Sequence, residues 1–446
     1  MSAVLEKTVP EHFDEPGRQP PMQVPSQVLP PVASQPIEPD DLSELARASI
    51  PHVTIHAFCE SEDFAQVWRA AAADRRLAAT TTAIHQGGFE AAVHAYSRRK
   101  TPDLIIIEST APAEKLLLEV DALAELCDPE TRVIIVGHRN DILLYRRLVN
   151  MGISNYLVAP ASIATVIAAI SDIYAEPGKE KIGRVYAVMG AKGGVGASTV
   201  AQGLALELAE RRDSDVLLVD LDLCFGSACI NLAVEPSRGL TELIGQADRL
   251  DVTMLDRVLV RRGLHLNLLG GAARLDATRE LDEFTVERIL EVAQTHLRHI
   301  VLDIPHVWSG WVERALSAAD EVVLVSTPEL CSLRNAMALV ERATGLRPND
   351  PAPRLVLNQV GMPRRQEISA KDVAAILKVE PALSVPFDAK SFSLAAARGK
   401  TVSEVARRSP VARSYGRLAD LMSPAGATTA PRNPRRRWTL LRRKGA

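Results

Sequence analysis

Residues Val185–Arg212 read VYAVMGAKGGVGASTVAQGLALELAERR. The stretch opens on an apolar run of strand type, crosses four glycines between Gly190 and Gly196, and ends in a helical pattern. Glycines let a backbone curl until its N–H groups point inward, and a helix N-terminus adds positive potential. Strand, glycine turn and helix in this order predict a phosphate cradle, with Ser198 and Thr199 placed for Mg²⁺ and phosphate oxygens. The bland alternative is a glycine-rich turn with no ligand. The usual spacing is G-x-x-x-x-G-K-[ST]. Here Ala191 stands where the first glycine belongs and Ala197 where the lysine belongs, while a lysine comes earlier, at Lys192.

Outward from this loop the chain alternates strand-like and helix-like segments. After VYAVMG come DVLLVDLD, LHLNLLGG, HIVLDIP, EVVLVSTP and RLVLNQV, separated by helical patterns. Upstream, HVTIHAF, DLIIIES, RVIIVG and NYLVAP are further strand-like runs. Short, continuous, β-branched runs are the mark of buried parallel strands. The expectation is an α/β chain with two doubly wound domains, at 50–177 and 184–421, joined by a linker at 175–183. Residues 1–49 hold nine prolines and eight Asp/Glu and read as a disordered leader. Residues 422–446 read as a loop followed by a basic tail.

Of 446 residues, 47% are hydrophobic and 24% charged, an ordinary globular balance. Residues 431–446 carry seven Lys/Arg and no Asp/Glu, so the rest of the chain holds −10 of a net −3. Five cysteines lie scattered without C-x-x-C spacing, which disfavours zinc and a disulfide framework. No signal-peptide pattern and no apolar run of about 18 residues are present, so a cytoplasmic chain is expected.

KGGVGAST, with its early lysine, resembles the deviant phosphate loop of the ParA/MinD family of ATPases. The resemblance implies ATP and Mg²⁺ as cofactors and a homodimer in which Lys192 reaches the partner's nucleotide. It places Lys192, Gly193, Gly194, Val195, Gly196, Ala197, Ser198 and Thr199 around the phosphates. In LLVDLDLCFGSACINL, Asp220 and Asp222 match the family's two acidic positions, Asp222 orienting water or holding Mg²⁺ through water. Lys192 and Asp222 are thereby the candidate catalytic residues. HIVLDIP matches the metal-side strand, putting Asp303 beside Ser198 and Asp222 at the metal. VLNQV and VPFD match segments that frame the adenine in relatives, pointing to Asn358, Pro386 and Asp388. An aspartate at a strand end is as often a cap as a ligand; the ordered set of segments is what makes the match specific. With alanine at 197 the charge that stabilises the γ-phosphate is missing, so weak or absent hydrolysis is expected.

The first domain resembles a response-regulator receiver, a flavodoxin-like fold, with its chemistry removed. Glu108 occupies the phosphoacceptor position, Gly137 the Thr/Ser position and Ala159, before Pro160, the lysine position; Cys59 and Glu60 stand at the first acidic cluster. A degenerate receiver joined to such a loop resembles the CpaE/TadZ family of Flp (Tad) pilus assembly proteins. That implies an ATP-binding, dimerising localisation factor whose partners are the pilus secretion machinery, peripheral at the inner membrane or a cell pole. The alternative is an active ParA/MinD-type ATPase that positions or partitions cargo at a septum site or on a plasmid. The tail, with Trp438, Leu440 and Leu441 among arginines, reads as an anchor for an anionic membrane, a solvated end or a nucleic-acid contact. The acidic body disfavours nucleic acid.

Overall fold

The computed structural model describes residues 50, 52–174, 183–235, 239–271 and 280–423. The leader, most of the linker and the basic tail lie outside the described residues. Two sheets carry the fold. The smaller has five parallel strands, β1 (Thr54–Cys59), β2 (Thr81–Gln86), β3 (Leu104–Ser109), β4 (Arg132–Gly137) and β5 (Asn155–Val158), in the order β2-β1-β3-β4-β5. The alternation of a pleated strand sends Leu104 and Ile106 to one face, with Trp68 and Ile170, and Ile105 and Ile107 to the other, with Leu116 and Leu144. Helices therefore cover both faces, as the continuous apolar run of β3 requires.

The larger sheet has eight strands: β6 (Arg184–Gly190), β7 (Val216–Asp220), β8 (Val260–Arg262), β9 (Leu266–Leu269), β10 (His299–Ile304), β11 (Glu321–Ser326), β12 (Arg354–Val360) and β13 (Pro381–Pro386). Their order is β13-β12-β11-β6-β10-β7-β9-β8, parallel except for the β8–β9 pair. Val185, Ala187 and Met189 enter one core and Tyr186 and Val188 the other. The helix Ala197–Arg212 is buried along most of its length. The helix Pro410–Met422 lies close against it: a Cβ on Gly203 would come within 2.7 Å of the Tyr415 ring.

The sequence predicts four strands and then six; the structure has five and eight. The additional strands, β2, β8 and β13, are sheet edges. TTAIHQ is mostly exposed, VRR is three residues long, and PALSVP has proline at both ends, so none shows a continuous apolar run.

A buried cluster of charge joins the two sheets' domains. Asp74, Arg75 and Arg76 follow the helix Glu62–Ala72 and meet Asp320, Arg347 and Asp350, with no side chain of the six more than 9% exposed. Arg75 Nε donates to Asp350 at 2.8 Å and Arg76 NH2 to its other oxygen at 3.2 Å. Asn349 Nδ2 donates to Ala70 O and Asp74, both at 3.0 Å. Asp320 also accepts the Val185 amide at 2.8 Å, tying the seam to the first residues of β6.

Candidate functional site

Strand β6 lies in the middle of the large sheet, and its two neighbours, β10 and β11, come much later in the chain. The chain leaves β6 toward β7 on one side and later crosses from β10 to β11 on the other, so the crevice beyond the carboxyl end of β6 is the switch point where open α/β sheets bind ligands. The glycine loop occupies it. Gly194 and Gly196 have φ of +80° and +88°, left-handed values that glycine adopts freely.

Four side chains grip the loop from outside by its carbonyls. His306 Nδ1 lies 3.0 Å from Gly190 O, Asn335 Nδ2 2.9 Å from Ala191 O, Gln359 Nε2 2.9 Å from Gly194 O and Asn358 Nδ2 2.7 Å from Val195 O. A planar trans peptide sends the next N–H the opposite way from its C=O. Holding the Ala191, Gly194 and Val195 carbonyls outward thus turns the Lys192, Val195 and Gly196 amides toward the crevice, a nest for an anion, whereas the Ala191 amide donates to Val325 O at 2.8 Å and anchors the loop's start to β11. A Cβ on Gly193 or Gly194 would meet nothing within 4 Å, so space lies open beside the loop. Gly196 caps the helix Ala197–Arg212 without a side-chain bond, which leaves the first amides without that partner. The chain therefore fits a polyphosphate by its own geometry.

The carboxylates lie on neighbouring strands. Asp303 and Asp220 are register partners at the ends of β10 and β7, both 3% exposed. Burial pushes Asp303 up to about 8, Asp220 and then Asp222 add to that, and a hydrogen bond from Ser198 opposes it. Burial also raises Asp220, against the pull of the Ala228 and Asp222 amides. A carboxyl this reluctant to ionise suits a place where a cation supplies the missing charge. Asp222 is half-buried, and its Oδ1 accepts the Cys224 and Phe225 amides at 3.2 and 2.8 Å. Among the described residues no group of three or more His, Cys, Asp or Glu is arranged to hold a metal directly. A Mg²⁺ ion here would take the Ser198 hydroxyl, phosphate and water as partners.

The remaining expected site residues divide. Lys192 lies within its own chain, Nζ 2.9 Å from Glu329 Oε2. Asn358 is buried and spends its amide on the loop. Pro386 pairs with Val360 at the end of β13, and Asp388 caps the helix Ala389–Arg398 through the Ser391 amide at 3.0 Å. The Ser391 side chain first, and that capping bond second, hold the Asp388 carboxyl below its ordinary range. Asn358, Pro386 and Asp388 thus share the carboxyl edge of β12 and β13. Sequence reading missed His306, Glu329, Asn335, Gln359 and Arg365. Glu329 and Asn335 lie just beyond the strand-like run EVVLVSTP; nothing local marks Arg365.

In the small sheet Glu108 is the last residue but one of β3, with 1% exposure. It accepts the Glu60 and Ser61 amides at 2.9 and 2.8 Å and the Ser61 hydroxyl at 2.6 Å, with His138 Nε2 at 3.3 Å. A Cβ on Gly137 would fall 2.2 Å from the Tyr156 hydroxyl, so the ring fills the space beside it. A carboxylate so fully bonded has no free oxygen to attack phosphorus. Incubation with acetyl phosphate followed by intact mass is expected to show no added phosphate; a stoichiometric adduct on this domain would contradict that.

A family described as an AAA domain matches residues 183–349. The chromosome-partitioning ATPase Soj of Thermus thermophilus is 33% identical over 258 residues, spanning 54% of this chain and 96% of that protein. The chain belongs to the ParA/MinD family of ATPases. A ParA family ATPase of Chlorobium tepidum has the same fold, at 24% identity, TM-score 0.50, and coverage of 54% of this chain and 98% of that one. This ParA/MinD-family chain is also 44% identical to the solved part of the pilus assembly protein CpaE of Caulobacter crescentus, covering 29% of this chain and 98% of that one with a TM-score of 0.29. It spans 46% of the length of uncharacterized Mycobacterium tuberculosis relatives to which it is 34% identical. Among the described residues no helix is long and apolar enough to cross a membrane.

Proposed function

We propose that this chain is an ATP-binding, dimerising localisation factor for Flp (Tad) pilus assembly, with weak or absent hydrolysis. The observation that carries the reading is a phosphate loop braced at four carbonyls that has alanine at position 197. Residues 192–199 hold the phosphates, and Asn358, Pro386 and Asp388 lie toward the base. Mg²⁺, bound at Ser198 with Asp222 and Asp303 reached through water, would supply the charge that draws the phosphate oxygens in. Lys192 serves the nucleotide of a second copy. The likeness to CpaE supports pilus assembly as the setting, and the basic tail supports a peripheral place on an anionic inner membrane or at a pole.

The second reading, an active ATPase that partitions or positions cargo, is favoured by the match to Soj. Position 197 separates the two. Steady-state phosphate release by the wild type is expected to be slow although a titration with Mg²⁺–ATP shows binding. Ala197→Lys restores a cation at the developing charge and is expected to raise release by about a hundredfold. A wild type that already turns over as fast as the lysine variant would favour the partitioning reading.

A further inference from the structure

Five groups close a ring beside the loop. Gln359 Nε2 holds Gly194 O at 2.9 Å. Arg365 NH2 donates to Gln359 O, and Arg365 NH1 lies 3.1 Å from Glu329 Oε1. Glu329 Oε2 meets Lys192 Nζ at 2.9 Å, returning to the loop. The arginine is fixed independently: Glu367 takes Arg365 NH2 at 2.7 Å and accepts the Gly361 and Met362 amides at 2.9 and 3.1 Å. Lys192 and Glu329 are each about one-third exposed, at 35% and 32%, whereas Arg365 is 11% exposed.

The ring has one labile member. Glu329 carries a different cation on each oxygen. If Lys192 leaves, Arg365 still satisfies the carboxylate, so no buried charge is orphaned. If Arg365 left, Glu367 and Gln359 O would lose a partner as well. A lysine ammonium on a flexible stem, paired at the surface, is easily exchanged, and an incoming phosphate is the stronger competitor.

We propose that Glu329 is a positioning residue that holds Lys192 back within its own chain until a nucleotide phosphate draws it away. This rests on the ATP-binding, dimerising reading given above and concerns how that site is regulated. Glu329 sets the threshold: the pair opposes ATP-driven association of two copies by keeping the reaching lysine occupied. Lys192, in turn, keeps the Glu329 carboxyl below its ordinary range, first by its hydrogen bond and then by its charge.

The test uses the full chain with Mg²⁺ and a non-hydrolysable ATP analogue. Sedimentation velocity gives the dimer dissociation constant, and fluorescence titration at low protein concentration gives analogue affinity. Glu329→Gln removes the charge and keeps the shape. It is expected to tighten the analogue-dependent dimer about threefold to fivefold, the bias a surface pair supplies. Glu329→Asp is expected to fall between it and the wild type. In a Lys192→Ala background the Glu329→Gln change is expected to have no effect, a coupling that loss of one negative charge near an anion would not produce. An equal gain in that background, or a weaker dimer with Glu329→Gln, would overturn the proposal. Analogue binding without any change in dimerisation would overturn it while leaving the ATP-binding reading intact. No binding by the wild type would overturn both.

Discussion

Asp350→Ala is expected to destabilise the chain by about 3–5 kcal/mol, the cost of breaking a buried ion pair from one side. The seam balances Arg75, Arg76 and Arg347 against Asp74, Asp320 and Asp350. Removing Asp350 leaves one guanidinium charge uncompensated where none of these side chains is more than 9% exposed. Arg76 NH1 and Arg347 Nε already lack hydrogen-bond partners, so the cluster has no spare acceptor. Asp350→Asn keeps the shape and some hydrogen bonding and is expected to cost less. Burial alone would raise the Asp350 carboxyl; Arg75, then Arg347 and Arg76, outweigh it and hold it below the ordinary 3.8. A depressed carboxyl contributes stability above its unfolded pKa and loses it as pH falls through the folded value. The wild-type seam therefore weakens below about pH 4, and the alanine variant should lack that acid-sensitive component. Urea denaturation at neutral and acid pH reads both effects. A neutral-pH loss under about 1 kcal/mol would show that the cluster contributes specificity of docking and little stability.

Gly196→Val is expected to weaken nucleotide binding by about a hundredfold or more while the sheet still folds. The residue sits at φ +88°, where a β-branched side chain is strained by about 1–3 kcal/mol. Its Cβ would also fall 2.4 Å from Asn358 Nδ2, the atom that holds Val195 O. Relieving that clash releases the brace, and the amides behind it turn away from the crevice. Each 1.4 kcal/mol is tenfold in affinity, so strain and the lost brace together reach the stated effect. Titration with Mg²⁺ and a fluorescent ATP analogue measures it, with circular dichroism confirming the fold. Unchanged affinity would mean that phosphate does not rest on this loop.

The loop, the parallel strands around it and the aspartates at their ends are legible in the sequence because each is local. A glycine spacing, an apolar run and an acidic strand end are complete within ten residues. The braces are not. Asn358 holds a carbonyl 163 positions away, and Arg75 pairs with a carboxylate 275 positions away. Asparagine, glutamine and arginine at such sites look like any polar residue until the sheet order brings them together. Lys192 shows the limit from the other side. Its position was legible, and its present partner was not, because Glu329 reaches it only through the adjacency of β6 and β11. The edge strands escaped for a related reason: a strand with one paired side needs no continuous apolar run.

Those same edges govern how copies of the chain behave when crowded. An open sheet edge is a template on which another molecule can add a strand, and long apolar edges seed aggregation. The large sheet ends on one side in β8, three residues of which two are arginine, and on the other in β13, with Pro381 and Pro386 at its ends. Short length and charge blunt the first edge, and proline, which cannot donate to a ladder, blunts the second. Both edges of the large sheet thus offer a neighbouring copy a poor template for strand addition.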